Sequence, residues 1–429
     1  MNSEIHRIPG LILIDHHFEV PLDHAQPQKA HISLFAREVV APGKENDDLP
    51  WLLFFQGGPG FGAPRPEGRS GWLDRILQDY RVLLLDQRGT GRSSPILAQT
   101  MTSFPDPTSQ ADYLQHFRAD AIVQDAEYIR KQLLGESIWS VLGQSFGGFC
   151  AVTYLSHAPL GLREVIITGG LPPLDLHPDD IYRATYQRVI QKNKEYYQRY
   201  PRDAEYIHEI VDILSDRDIR LPNGDSFSPH RLQQLGITFG AENGFEQVHY
   251  LIEQAIIRNG NNIDIGYLFL KAVENVFSFD SNPIFAILHE AIYCQNFTSD
   301  WSANRIRAEF PIFDISGDHP VYFTGEMIYP WMFDEYSQLR PLKDAAEILA
   351  KYDQWPQLYD LPTLQSNDIP CAAAIYYNDM YVERAFSEDA AQRIKGMKVW
   401  ITNQYEHSGL RMHGYDVLDR LLGMLHGEY

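Results

Sequence analysis

The chain has 429 residues, 44% of them hydrophobic and 22% charged, which is the composition of a soluble globular protein with a large core and room for a second unit. A net charge of −21 argues against nucleic acid as a partner and is compatible with attracting cationic small substrates. No run approaches the roughly 18 to 20 apolar residues of a membrane helix, and the opening residues lack the pattern of a signal peptide, so the expected location is the cytoplasm, with no membrane partner. Cys150, Cys294 and Cys371 are widely spaced and include no C-x-x-C pair, so free thiols are expected rather than a disulfide framework or a zinc site.

From about residue 10 to 50, alternating apolar and polar residues broken by prolines predict antiparallel strands at the start of a sheet. "WLLFF" (51–55), "RVLLLD" (81–86), "IWSVLG" (138–143) and "REVIIT" (163–168) are nearly continuous in hydrophobicity, as strands buried on both faces are. The segments between them are long enough for helices, and "ADAIVQDAEYIRKQLLG" (119–135) has helical spacing, so the fold class is α/β with a mostly parallel central sheet. After "TGGLPPL" the pattern turns to Tyr, Gln, Arg and acidic residues at helical spacing with few strand-like runs. The strand pattern returns at "CAAAIYYND" (371–379) and "KVWITNQYEH" (398–407), and the helix "YDVLDRLLGMLHGEY" closes the chain. The expected organisation is a core over 1–172, an inserted and mostly helical cap domain over 173–355, and the rest of the core over 356–429.

"GQSFG" (143–147) fits G-x-S-x-G with a strand before it and a helix after it, the setting of a nucleophile elbow in which Gly143 and Gly147 let strand and helix approach around Ser145. Serine needs a base and an acid that orients it, and both belong at the carboxyl ends of later strands. Asp379 ends one returning strand and His407 follows 28 residues on, in the order Ser, Asp, His. The rivals are His413, at the start of the terminal helix, and Asp368, which precedes its strand and belongs at the opposite edge. For the oxyanion, the expected donors are the backbone N–H groups of Phe146 and of Gly57 in the loop "QGGPGFGAPRP" (56–66). Gly58 is the neighbouring candidate and belongs with the residues expected to meet substrate. The plain alternative is that both glycine-rich stretches are only tight turns.

Together "GGPG", "LLLDQRGTGRSS" (83–94), "GQSFGG" and the late Asp379 and His407 resemble the proline iminopeptidase (prolyl aminopeptidase) family of α/β-hydrolases. "AILHEAIYCQ" (286–295) and "FTGEMIYPWMF" (323–333) are similar to the cap of its longer bacterial branch. The resemblance implies an α/β-hydrolase fold with a helical cap and a serine exopeptidase that needs no metal or other cofactor. Its substrates would be short peptides with a free N-terminus, preferably proline. It also implies that Glu290 and Glu326 hold the substrate's amino group, with Tyr329 beside Phe277, Tyr293 and Trp331 as an apolar slot. Against this stand glutamates that cap helices or pair with arginines such as Arg305, and aromatics that are plain core. Gln56 replaces a histidine found in many members and is expected to alter loop support rather than chemistry. Asp86 and Arg88 are expected to fix loop geometry. An aminopeptidase of broader or longer N-terminal specificity, a carboxylic-ester hydrolase, and a non-catalytic binding protein on the same scaffold remain as alternatives.

Overall fold

The computed structural model describes residues 4–277, 279–316 and 319–428. The apolar runs become the centre of a nine-stranded sheet, formed by β1 (Glu4–Ile8), β2 (Leu11–Pro21), β3 (His31–Val40), β4 (Trp51–Phe55), β5 (Arg81–Asp86), β6 (Trp139–Gln144), β7 (Leu162–Thr168), β10 (Cys371–Tyr376) and β11 (Met397–Thr402). Their order is β1-β2-β3-β5-β4-β6-β7-β10-β11, with β1 to β3 antiparallel, β3 antiparallel to β5, and the rest parallel. The expected strands and their mostly parallel arrangement are therefore present.

Side chains alternate between the two faces of a strand, and here that alternation builds two cores. Leu53, Phe55, Leu83, Leu85, Val141, Val165, Ile167, Ala373 and Ile375 point into the larger one, where the helices Ala119–Leu134 and Phe146–His157 pack. Leu52, Phe54, Val82, Leu84, Leu142, Ile166, Ala372 and Ala374 point the other way, against the helices Gly71–Ile76 and Gly414–His426. Burial on both faces explains why these runs read as continuously apolar rather than alternating. Tyr429, the last residue of the expected terminal helix, lies outside the described residues.

Between β7 and β10 the chain is mostly helical, led by Pro178–Arg199 and Asp203–Asp216. It also contains a hairpin, β8 (Ile256–Asn259) paired antiparallel with β9 (Asn262–Ile265), where sequence pattern predicted few strand-like runs. Arg118, at the start of a core helix, ties this segment down: its guanidinium donates to the carbonyls of Ala291 (3.0 Å), Cys294 (2.7 Å) and Pro356 (2.8 Å).

Arg88 and Asp86 follow the expectation that they shape loops. Asp86 accepts from the N–H groups of Ala63 (2.9 Å) and Arg92 (2.8 Å), joining the loop after β4 to the turn after β5. Arg88 is buried, paired with buried Asp125 (Nε to Oδ2, 2.7 Å), and donates to the carbonyls of Leu22 and His116. Removing one partner of such a pair leaves a buried, uncompensated charge. Arg88→Met is therefore expected to destabilise the protein by about 3–5 kcal/mol, seen as a lowered urea midpoint. An unchanged midpoint would show that His24, already 2.8 Å from Asp125 Oδ1, compensates the charge by itself.

Candidate active site

The parallel strands β4, β6, β10 and β11 end on one rim, and the expected site residues follow those ends. Ser145 lies between β6 and the helix Phe146–His157, with φ 56° and ψ −125°. A non-glycine residue there carries strain of about 1–3 kcal/mol and persists only where its surroundings enforce it. Close packing does so. A methyl group added to Gly147 would stand 2.0 Å from the Phe55 carbonyl oxygen, and one added to Gly143 would stand 2.3 Å from that of Gly147. The Ser145 N–H donates to the Thr168 carbonyl at 3.0 Å, which fixes the turn against β7.

His407 and Asp379 meet in the loops after β11 and β10. His407 Nδ1 is 2.7 Å from Asp379 Oδ2, and both side chains are buried. The other carboxylate oxygen of Asp379 accepts from the N–H groups of Tyr381 (2.9 Å) and Val382 (3.1 Å), so the acid is oriented by its own loop. The Tyr381 ring stands edge-on to the imidazole, with centroids 4.8 Å apart, and its hydroxyl donates to the Ile237 carbonyl. The rivals lie elsewhere: His413 faces Glu242 at 2.9 Å, and Asp368 pairs with Lys395 at 2.7 Å.

Ser145 and His407 line one cavity of about 170 Å³, together with Gln56, Gly57, Gly58 and Glu326. Gly57 approaches the serine so closely that an added Cβ would be 2.9 Å from Ser145 Cβ and 2.8 Å from Gln144 Oε1. Phe146 is the first residue of its helix, where the N–H has no helical carbonyl to meet. The rest of the wall is mostly aromatic and aliphatic, with Phe61, Phe277, Phe279 and Phe285, and also carries Gln144, Tyr381 and Arg411.

Glu326 is enclosed, and burial pushes its carboxyl up to about 8; the charge of Asp379 adds to the rise and Arg411 opposes it. Among the described residues its ion-pair neighbour is His289, at 3.9 Å, whose own burial lowers it to about 4 and keeps it neutral. No resident cation therefore balances Glu326 at contact distance, among the described residues.

Four residues expected at the substrate, Glu290, Tyr329, Tyr293 and Trp331, do not line this cavity. Glu290 lies beneath the helix Ser302–Arg307, its two oxygens accepting the N–H groups of Ser302 (3.0 Å) and Ala303 (2.8 Å). It is 6% exposed, and burial pushes it up to about 7. This is the helix-capping alternative, favoured because a carboxylate satisfies both unpaired donors and the helix dipole. Tyr329 is buried with its hydroxyl 3.0 Å from that of Tyr186, among core aromatics. Of the expected slot, Phe277 is on the wall. Sequence reasoning missed Tyr381 and Arg411. Their signal was proximity, since Tyr381 is two residues past Asp379 and Arg411 four past His407.

A possible cluster of metal ligands, Glu4, His6 and Asp15, occurs on β1 and β2, where Asp15 is already paired with Arg37 and Arg92. None of these residues lines the cavity.

The profile of the alpha/beta hydrolase fold matches residues 50–213. A proline iminopeptidase of Aeromonas sobria is 48% identical over 424 residues, covering 98% of this chain and 99% of the relative. A second, from Aspergillus aculeatus, is 36% identical over 420 residues, covering 95% of this chain and 92% of the relative.

The contacts around the turn make a direct prediction. Gly147→Ala should lose about 3 kcal/mol of stability by overpacking against β4, measured by urea unfolding. A wild-type midpoint would mean that the turn can relax without cost.

Proposed function

The chain belongs to the proline iminopeptidase family of α/β-hydrolases, and from that premise we propose that it releases N-terminal proline from short peptides through an acyl-enzyme on Ser145. The observation that carries this reading is one cavity whose wall holds a strained serine, an aspartate-bound histidine and a largely enclosed carboxylate. We treat residues 173–355 as a cap over that cavity, because Ile237, Phe277, Phe279, Phe285 and Glu326 come from this segment and share its wall with Ser145.

The substrate's ammonium docks against Glu326. A buried carboxylate with a raised proton affinity gains most from a cation, because the ion pair replaces the hydration that burial removed. At about 4 Å and an effective dielectric near 20 the attraction is about 4 kcal/mol before desolvation. The aromatic wall takes the pyrrolidine ring. Direct contact with the amine is assigned to Glu326 alone, since the oxygens of Glu290 are already occupied by backbone donors.

Ser145 Oγ then attacks the first carbonyl while His407 Nε2 takes its proton. Asp379, on Nδ1, holds the ring in the tautomer that leaves Nε2 free to accept and stabilises the imidazolium. The oxyanion forms against the N–H groups of Phe146 and Gly57, each such donor being worth about 2.7–4 kcal/mol. His407 gives its proton to the departing amine, the C–N bond breaks, and water repeats the sequence on the ester to free proline. Gln56 lines the cavity while its carbonyl accepts from Gln87 Nε2 at 3.2 Å, a supporting place rather than a chemical one. Three buried, unpaired thiols suit a reducing compartment, and we place the enzyme in the cytoplasm. No helix among the described residues is long and apolar enough to cross a membrane.

Ser145→Ala should lower kcat on a proline amide by a factor on the order of 10⁵ to 10⁶ while leaving the unfolding midpoint within error. Substantial activity in pure variant would reject Ser145 as nucleophile. Glu326 must be ionised to hold an ammonium, so kcat/KM for free-amine substrates should fall as pH drops through about 8. That limb should vanish in Glu326→Gln, and an acyl ester without an amine should not show it. The same limb in the variant would assign the titration to another group.

A further inference from the structure

The cavity carries a second charge that the reaction just described does not use. Arg411 is the only lysine or arginine among the described residues that line it. It lies on the short helix Gly409–Met412, immediately after His407, with its N–H bonded to the Ser408 carbonyl at 2.8 Å. The residue is exposed, whereas the Glu326 side chain is only 17% exposed. Among the described residues its guanidinium has no carboxylate within ion-pairing distance. An exposed arginine on the cavity wall, which feels the charge of Glu326 but has no carboxylate at contact distance among the described residues, is a ready binding group for a carboxylate, which its planar fork can hold by two parallel hydrogen bonds.

Resting on the aminopeptidase reading, we propose that Arg411 forms a subsite for the free carboxylate of the leaving amino acid, so that zwitterionic dipeptides are the preferred substrates. The charges on the wall support it: one carboxylate, Glu326, and one guanidinium, Arg411, share the cavity with Ser145 and His407. A dipeptide bound with its ammonium on Glu326 and its first carbonyl at Ser145 presents the same charges in the opposite sense. The leaving amine must sit beside His407, which protonates it, and Arg411 begins four residues beyond that histidine. Consecutive Cα atoms are about 3.8 Å apart, and in a dipeptide the carboxylate is attached directly to the second. In a longer peptide that position holds a neutral amide, and the carboxylate lies about 3.3–3.6 Å further out per residue.

The test compares Pro-Ala with Pro-Ala-NH₂, which differ only in the terminal charge, in the wild-type enzyme and in Arg411→Gln and Arg411→Lys. The wild type should favour the free acid about tenfold in kcat/KM, mostly through KM. Arg411→Gln should abolish that ratio, and Arg411→Lys should restore part of it, since a point charge keeps the attraction but not the fork. Equal losses on both peptides in Arg411→Gln, or a wild type indifferent to the carboxylate, would overturn the subsite. A wild type that released proline from neither peptide would reject the aminopeptidase reading itself, and the subsite with it.

Discussion

The site depends on how closely β6, its neighbour β4 and the helix Phe146–His157 approach one another. At Gly143 and Gly147 backbone meets backbone with no space for a side chain, and this contact holds Ser145 at a φ that an L-residue would otherwise leave. The strain is affordable because the two cores on either side of the sheet over-determine the position of both elements. From there the parallel topology does the rest. Strands that run in one direction deliver the loops carrying Gly57, Ser145, Asp379 and His407 to the same rim, although some 350 positions separate the first from the last.

Electrostatics then divide the cavity into regions with separate tasks. Asp379 is satisfied by two N–H groups and an imidazole, which suits the orienting role proposed for it. Glu326 has a neutral histidine for a neighbour, and burial, with the charge of Asp379 behind it, raises its proton affinity. Arg411 brings the complementary charge to the same wall. In the proposed reading, the carboxylate would favour a free amine and the guanidinium a short chain.

The core strands, the elbow and the pairing of the late aspartate with the late histidine were legible in the sequence, because continuous apolar runs and the residues that end them are local signals. The hairpin β8–β9 was missed although "RNGNN" (258–262) is a turn signal; the surrounding helical pattern of the insertion outweighed a strand pair of only four residues each. Glu290 and Glu326 were indistinguishable by pattern, since both sit among aromatics. Their fates diverge because the helix Ser302–Arg307 presents its unpaired N–H groups to one and nothing comparable meets the other, a tertiary fact with no local trace. Tyr329 illustrates the same limit, being aromatic at helical spacing but committed to the core by its contact with Tyr186. Arg411 was overlooked because a lone arginine on a terminal turn acquires meaning only once the cavity wall is known.

The central claim is that Ser145 alone is activated, and by His407. Labelling with a fluorophosphonate, followed by intact-mass measurement and peptide mapping, tests it most directly. One adduct on Ser145, formed rapidly in the wild type and at a rate reduced by orders of magnitude in His407→Ala, is the predicted result. An adduct on another residue, or proline release that continues after complete labelling, would contradict it.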